Sequence, residues 1–187
     1  MEFAVKALDV ATWDDFAGLA ARHNGVWGGC WCMGFHGRGP SWGVSAEGNR
    51  AEKAALVAEG RARAALVYDA GVCRGWCQFG PVTELPRIKL QKAYRAGLSA
   101  LPDWRITCFF VDQAARGKGI ARAALSGALD LIGQAGGGVV EGYPEVVTGR
   151  KVSASFLYGA TVEMFAAAGF VQDRPLGQTH WVMRRVV

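Results

Sequence analysis

The sequence predicts an α+β fold: a mixed, mostly antiparallel central sheet flanked by helices, with one parallel βαβ unit. Three observations predict it. Residues 62–68 and 72–79 are apolar runs separated by Asp69-Ala-Gly71, which is the pattern of an antiparallel hairpin. Arg105 to Val111 is apolar on both faces, as a central strand covered on both sides must be. That strand enters a glycine-punctuated turn and a long apolar helix, and a further apolar strand, Val139 to Pro144, follows the helix, so the two strands run parallel.

With 187 residues, 51% hydrophobic and 20% charged, the chain reads as one domain, residues 1–187, with a core of its own, and a disordered chain is excluded. The net charge of +5 favours anionic ligands but is too small to argue for a nucleic-acid partner, and none is expected. Met1 to Val10 lacks the basic and apolar regions of a signal peptide, and no stretch reaches the length that spans a bilayer, so a cytoplasmic location without a membrane partner is expected. Cys30, Cys32, Cys73, Cys77 and Cys108 are odd in number and sit in apolar or aromatic company, which predicts reduced thiols.

Taken in order, Phe3 to Leu8 fits a short edge strand. Thr12 and Asp15 have the spacing of a capping box for a helix that turns Phe16, Leu19, Ala20 and His23 to one side and stops at Asn24-Gly25. Residues 26–48 keep neither period and combine many glycines with Trp27, Trp31 and Trp42, which predicts a functional loop. Asn49 and Glu52 are expected to cap a second helix that Gly60 ends. After Pro86, the stripe Leu90, Tyr94 and Leu98 predicts a short amphipathic helix over 88–98. Along 105–111, alternation puts Ile106, Cys108 and Phe110 on one face and Phe109 and Val111 on the other. Leu125, Leu129 and Ile132 mark the long helix, which Gly136-Gly-Gly138 stops. A helix around Thr161 to Ala168, the segment Gly169 to Asp173 and a strand from Thr179 to Val187 complete the chain.

The junction Thr107 to Arg122 has the chemistry of a phosphate site. N–H groups at a helix start lack intrahelical partners and carry the positive end of the helix dipole. Gly117 and Gly119 clear the approach, and Arg116, Lys118 and Arg122 add charge suited to a diphosphate.

Within it, Arg116-Gly-Lys-Gly-Ile-Ala121 resembles the central motif of the GNAT superfamily of acetyl-CoA-dependent N-acetyltransferases, Arg/Gln-x-x-Gly-x-Gly/Ala between a strand and a helix. Arg116, Gly119 and Ala121 fill its fixed places. The element order is also that of the GNAT fold, and Phe165-Ala-Ala-Ala-Gly-Phe170 resembles the family's Tyr-x-x-x-Gly-Phe block. The resemblance covers roughly the C-terminal two thirds and does not account for residues 26–48. It implies a GNAT-like domain in which the main chain of Phe109, Phe110 and Val111 grips the pantetheine arm. Arg116, Gly117, Lys118, Gly119, Ile120, Ala121 and Arg122 would hold the pyrophosphate. It implies acetyl-CoA as co-substrate, no metal, and transfer of the acetyl group to a primary amine of a small molecule or peptide by direct attack in a ternary complex. Another acyl-CoA, an acyl-tRNA donor, or a non-catalytic acyl-CoA-binding module stay open beside it.

Such chemistry needs a base for the amine and benefits from an acid for the leaving thiolate. Glu141, a carboxylate on an otherwise apolar strand where the two parallel strands would splay, is the first candidate base; a strand-end carboxylate facing solvent or an ion-pair partner is the other reading. Phe165 stands where the family's tyrosine is usual, so either Tyr143 or Tyr158 is the acid or the thiolate leaves unassisted. Trp27, Trp31, Phe35, His36 and Trp42, with Trp76 from the hairpin, are expected to wall the acceptor site, or else to form an aromatic cluster packing the first helices on the sheet. The spacings of Cys30-Trp-Cys32 and Cys73-x-x-x-Cys77 do not suit a zinc site, and Cys108 lacks the neighbours that activate a nucleophile.

Overall fold

The computed structural model describes residues 3–37, 43–153 and 157–187. In chain order the elements are β1 (Ala4–Ala7), α1 (Trp13–Arg22), α2 (Ala46–Ala58), β2 (Arg63–Asp69), β3 (Val72–Pro81), α3 (Gln91–Ala96), β4 (Trp104–Val111), α4 (Ile120–Gln134), β5 (Val139–Gly142), α5 (Val162–Ala167), β6 (Val171–Leu176) and β7 (His180–Val186). Short 3-10 turns lie at Met33–Phe35, Gln113–Ala115 and Leu157–Gly159. All seven strands join one sheet in the order β1-β2-β3-β4-β5-β7-β6. Among these strand pairs only β4 and β5 are parallel, and α4 makes the crossover between them.

Alternation along the strands divides the core. Ala65 and Val67 of β2 face the side where α4 buries Ala124, Leu125, Ala128 and Ile132, while Ala64, Leu66 and Tyr68 face Phe16 and Leu19 of α1 and the loop after it. On β4 the alternation is broken. Gln78 pairs with Cys108 and Phe79 with Ile106, so Thr107 is an extra residue with no opposite number. This bulge corrects the face assignment read from the sequence: Ile106 and Phe109 share the α4 side, and Cys108 and Phe110 share the α1 side.

Three local expectations also change. Thr12 does not cap α1 with its side chain; its hydroxyl donates to Ala7 O at 2.7 Å and accepts from Asp9 N at 2.9 Å, tying the helix start back to β1. Helix α2 begins earlier, capped by Ser45, whose Oγ accepts from Gly48 N at 2.9 Å. Asn49 is thus inside the helix, where it donates to Gly29 O at 2.8 Å and accepts from Gly43 N at 3.0 Å, holding the loop. Helix α3 is shorter than the apolar stripe because Leu90 has φ +56, a left-handed conformation that cannot continue into a helix.

The feature that positions the site is where β4 and β5 part. Their pairing runs Trp104↔Val140, Arg105↔Glu141 and Ile106↔Gly142, and β4 then continues to Val111 without β5 beside it. The chain after β5 turns away: Glu145 N donates to Ala160 O at 3.0 Å and Trp181 N to Pro144 O at 3.1 Å. Gly142 closes the joint, because a Cβ there would lie 2.0 Å from the Phe165 ring that packs on it. Among the described residues no helix is long and apolar enough to cross a membrane.

Candidate active site

The turn before α4 is built to leave its N-terminus bare. Asp112 accepts from Ala114 N at 3.2 Å and from Arg74 Nη1 at 3.0 Å. Burial raises the Asp112 carboxyl, but the Ala114 N–H and the Arg74 guanidinium outweigh it and hold the group below its ordinary value. Gly117 at φ +75 and Gly119 at φ +92 then swing the chain into the 15-residue helix, and a side chain at Gly117 would meet nothing within 4 Å. None of Arg116, Lys118 and Arg122 is ion-paired with another described residue.

A cavity of about 450 Å³ lies between this helix start and the free edge of β4. Phe109, Phe110 and Val111 line one side and Arg116, Gly117, Gly119, Ile120, Ala121 and Arg122 the other. Lys118, exposed on the same turn, does not line it. The far wall is Leu157, Ala160, Thr161, Glu163 and Met164. An unpaired strand edge beside a cationic, glycine-cleared helix start suits an extended amide-bearing arm with a diphosphate at its end.

A second cavity, about 690 Å³, opens on the other side of the turn Leu157–Gly159. Leu157 faces the first cavity and Tyr158 the second, so this turn is the wall between them. Thr107 comes to it from the β4 bulge, Tyr143 and Glu145 from beyond β5, Phe35 from the loop, and Gln178, Thr179 and His180 from the last hairpin. Lys89 Nζ lies 4.0 Å from the centre of the Tyr158 ring. Glu145, 6% exposed, accepts from Arg150 Nη1 at 3.2 Å. Burial pulls the His180 imidazole below its ordinary value, which keeps it neutral near pH 7.

Glu141 lines neither cavity. It has no exposed surface, and its carboxylate accepts from Tyr94 Oη at 2.7 Å, Tyr143 Oη at 2.9 Å, and Arg184 Nε and Nη2 at 2.8 and 2.5 Å. These are the contacts of the ion-pair reading, and they leave no lone pair turned toward a cavity. Tyr143 reaches the second cavity, but its hydroxyl proton is given to Glu141. Tyr158 lines the same cavity.

The expected aromatic wall is mostly elsewhere. Trp31 and Trp76 are 4% and 0% exposed in the α1-side core, where Trp76 stacks on Phe110 at 4.8 Å and packs on Phe16 at 4.7 Å. Large rings on that face find more apolar surface under α1 than at a cavity rim. Trp27 lines the first cavity, edge-on to Phe110, and Phe35 is the loop aromatic in the second. Trp42 lies outside the described residues. His36 is buried, with Nδ1 on Glu84 O at 3.2 Å and Nε2 on Lys53 Nζ at 3.2 Å. Burial and the Lys53 charge push its imidazole down to about 2.

Lys53, Gln78, Thr107, Glu145 and His180 are the polar residues of this region that sequence reasoning passed over. For Lys53 a signal exists: Asn49, Lys53 and Val57 recur every fourth residue and are the buried residues of α2. All five thiols are free, and Cys32 and Cys108 have their sulfurs 3.1 Å apart. The Cys108 contact, and burial, push the Cys32 thiol well above its ordinary value, so it stays protonated. Among the described residues no group of three or more His, Cys, Asp or Glu side chains is arranged to hold a metal ion.

No protein-family model matches the sequence, and no curated protein sequence matches it. Solved structures match by fold. A Desulfovibrio desulfuricans protein described as an acetyltransferase of the GNAT family aligns over 99% of both chains with TM-score 0.55 at 12% identity. The yncA protein of Salmonella typhimurium, described as an acetyltransferase and solved with its cofactor acetyl-CoA, aligns over 98% of this chain and 93% of its own with TM-score 0.55 at 15% identity. Mosquito arylalkylamine N-acetyltransferase-like 5b aligns over 100% of both with TM-score 0.57 at 12% identity. The chain has the fold of the GNAT acetyltransferases, with their mixed sheet and parallel β4–β5 pair.

Proposed function

We propose that this chain is an acetyl-CoA-dependent N-acetyltransferase that acts on a primary amine of a small molecule or peptide, by direct attack in a ternary complex. The observation that carries this reading is the unpaired edge of β4 beyond Ile106, set against the bare N-terminus of α4 with one cavity between them. The residues present fit acetyl-CoA. Phe109 to Val111 offer main-chain donors and acceptors to its amide arm, and Arg116, Arg122 and the α4 amides, with Lys118 beside them, answer its phosphates. When bound, acetyl-CoA supplies an acyl thioester whose carbon accepts the amine and whose sulfur leaves as a thiol.

The second cavity is the acceptor site on this reading, and the turn carrying Tyr158 orders the two ligands on either side of it. Glu145 is the carboxylate that meets the acceptor ammonium and takes its proton, because it lines that cavity while Glu141 is spent on Arg184 and two phenols. Tyr158 stands as the acid for the departing thiolate, at the wall the two cavities share. Glu141 and Tyr143 brace the end of β5.

The test is amine-dependent release of free thiol from acetyl-CoA across a panel of primary amines and peptide N-termini. Release with at least one amine, lowered by Glu145→Gln, is the expected result. Tight acetyl-CoA binding with no release for any amine would replace the enzyme by a binding module.

A further inference from the structure

The loop, α2, β3 and β4 each contribute one side chain to a hydrogen-bonded row that ends at the second cavity. Lys53 has no exposed surface and no carboxylate partner among the described residues. It donates to Gln78 Oε1 at 2.6 Å and to His36 Nε2 at 3.2 Å, since a charged ammonium has donors only. His36 must then carry its proton on Nδ1, which donates to the Glu84 carbonyl at 3.2 Å. Gln78 has its carbonyl taken by Lys53, so its amide N–H points at β4 and donates to Thr107 Oγ1 at 3.1 Å. The direction of the whole row follows from Lys53. Thr107 accepts, and its own O–H is left to donate, with Gln78 the hydrogen-bond partner of its side chain among the described residues.

Thr107 is also the bulged residue of β4, at the point where β5 departs, and it lines the second cavity. Two residues on, about 7 Å along the strand, Phe109 lines the first. Thr107 therefore stands on the stretch of β4 where the two cavities approach each other. A buried lysine and a neutral histidine among Phe16, Cys32 and Cys108 are costly to desolvate, and a row that ends at a cavity has a use that a closed network lacks.

Resting on the acetyl-transfer reading above, we propose that Thr107 is a catalytic residue: its hydroxyl donates a hydrogen bond to the acyl carbonyl oxygen as the amine adds. Gln78 and Lys53 are positioning residues that hold Thr107 as a donor. The donor is aimed at the atom on which negative charge gathers, where one such group is worth the most.

The experiment compares wild-type protein with Thr107→Val, Thr107→Ser and Lys53→Met in amine-dependent turnover and in the infrared band of bound acetyl-CoA carrying a ¹³C-labelled acyl carbonyl. Thr107→Val should lower kcat about a hundredfold with little change in KM for acetyl-CoA, and move the band to higher frequency. Thr107→Ser should recover most of both, and Lys53→Met should move band and kcat in the same direction as Thr107→Val. If Thr107→Val does not fold, Thr107→Ala is read in its place by the same band. An unmoved band and unchanged kcat in the hydroxyl-free variant overturn the role of Thr107 and leave acetyl transfer standing. A wild-type protein without amine-dependent turnover overturns both.

Discussion

Glu141 and His36 carry opposite lessons about buried polar residues. Glu141 is satisfied, with Arg184 and the hydroxyls of Tyr94 and Tyr143 around it. Removing one partner of such a pair strands the other, which costs about 3–5 kcal/mol. Glu141→Gln should therefore lower unfolding free energy by about that much in urea titration while acetyl-CoA affinity holds; loss of kcat without loss of stability would restore Glu141 as the base. His36 is buried neutral. The unfolded chain binds a proton there at its ordinary 6.5, the folded chain only near about 2, so acidification protonates the unfolded state alone and stability falls as pH drops below 6.5. The melting temperature between pH 7 and roughly pH 4 should thus fall more steeply for wild type than for His36→Gln, which keeps a donor and an acceptor in place.

At the scale of elements, the strand β4 and helix α4 form one device, since the same turn ends the strand and clears the helix start. Its three cations have no ion partners among the described residues, so each is available to a phosphate. Arg116→Ala should weaken acetyl-CoA binding by roughly 10- to 100-fold, the worth of a hydrogen bond to a charged group. It should leave the binding of S-acetylpantetheine, which has no phosphate, unchanged. Calorimetry with both ligands reads the difference, and equal weakening for both would move the phosphates away from Arg116. Much of this device is legible in the sequence because its parts are contiguous: Phe109 to Val111 and Arg116 to Arg122 lie on one short stretch. The bulge at Thr107 is not legible there, because it is a mismatch in length between β4 and β3 that shows only when the two strands are paired.

At the scale of the whole molecule, the fold holds two cavities on either side of one turn, and a ligand that fills the first should stabilise the sheet around it. Acetyl-CoA at a hundred times its Kd should add about 2.7 kcal/mol to the unfolding free energy, read as a rise in melting temperature that excess free CoA reproduces; no rise with either would show that the folded chain binds neither. The hairpin, the βαβ crossover and the glycine turn before α4 follow from the sequence alone, since periodicity and glycine placement act over a few residues. Burial depends on distant neighbours. Trp31 and Trp76 read equally well as site or core until α1 is laid on the sheet, and then Phe16 and Phe110 claim them. Glu141 reads as a base until β7 brings Arg184 beside it, 43 residues away in sequence. The row from Lys53 through Gln78 to Thr107 joins three elements, and only their packing turns three unremarked polar residues into one oriented donor. The sequence by itself determined the fold and the glycine-punctuated turn that joins β4 to α4, because both rest on local patterns. Only the tertiary structure decided which polar groups face a cavity, because a side chain's chemistry depends on whether a neighbour from elsewhere in the chain has already taken its hydrogen bonds.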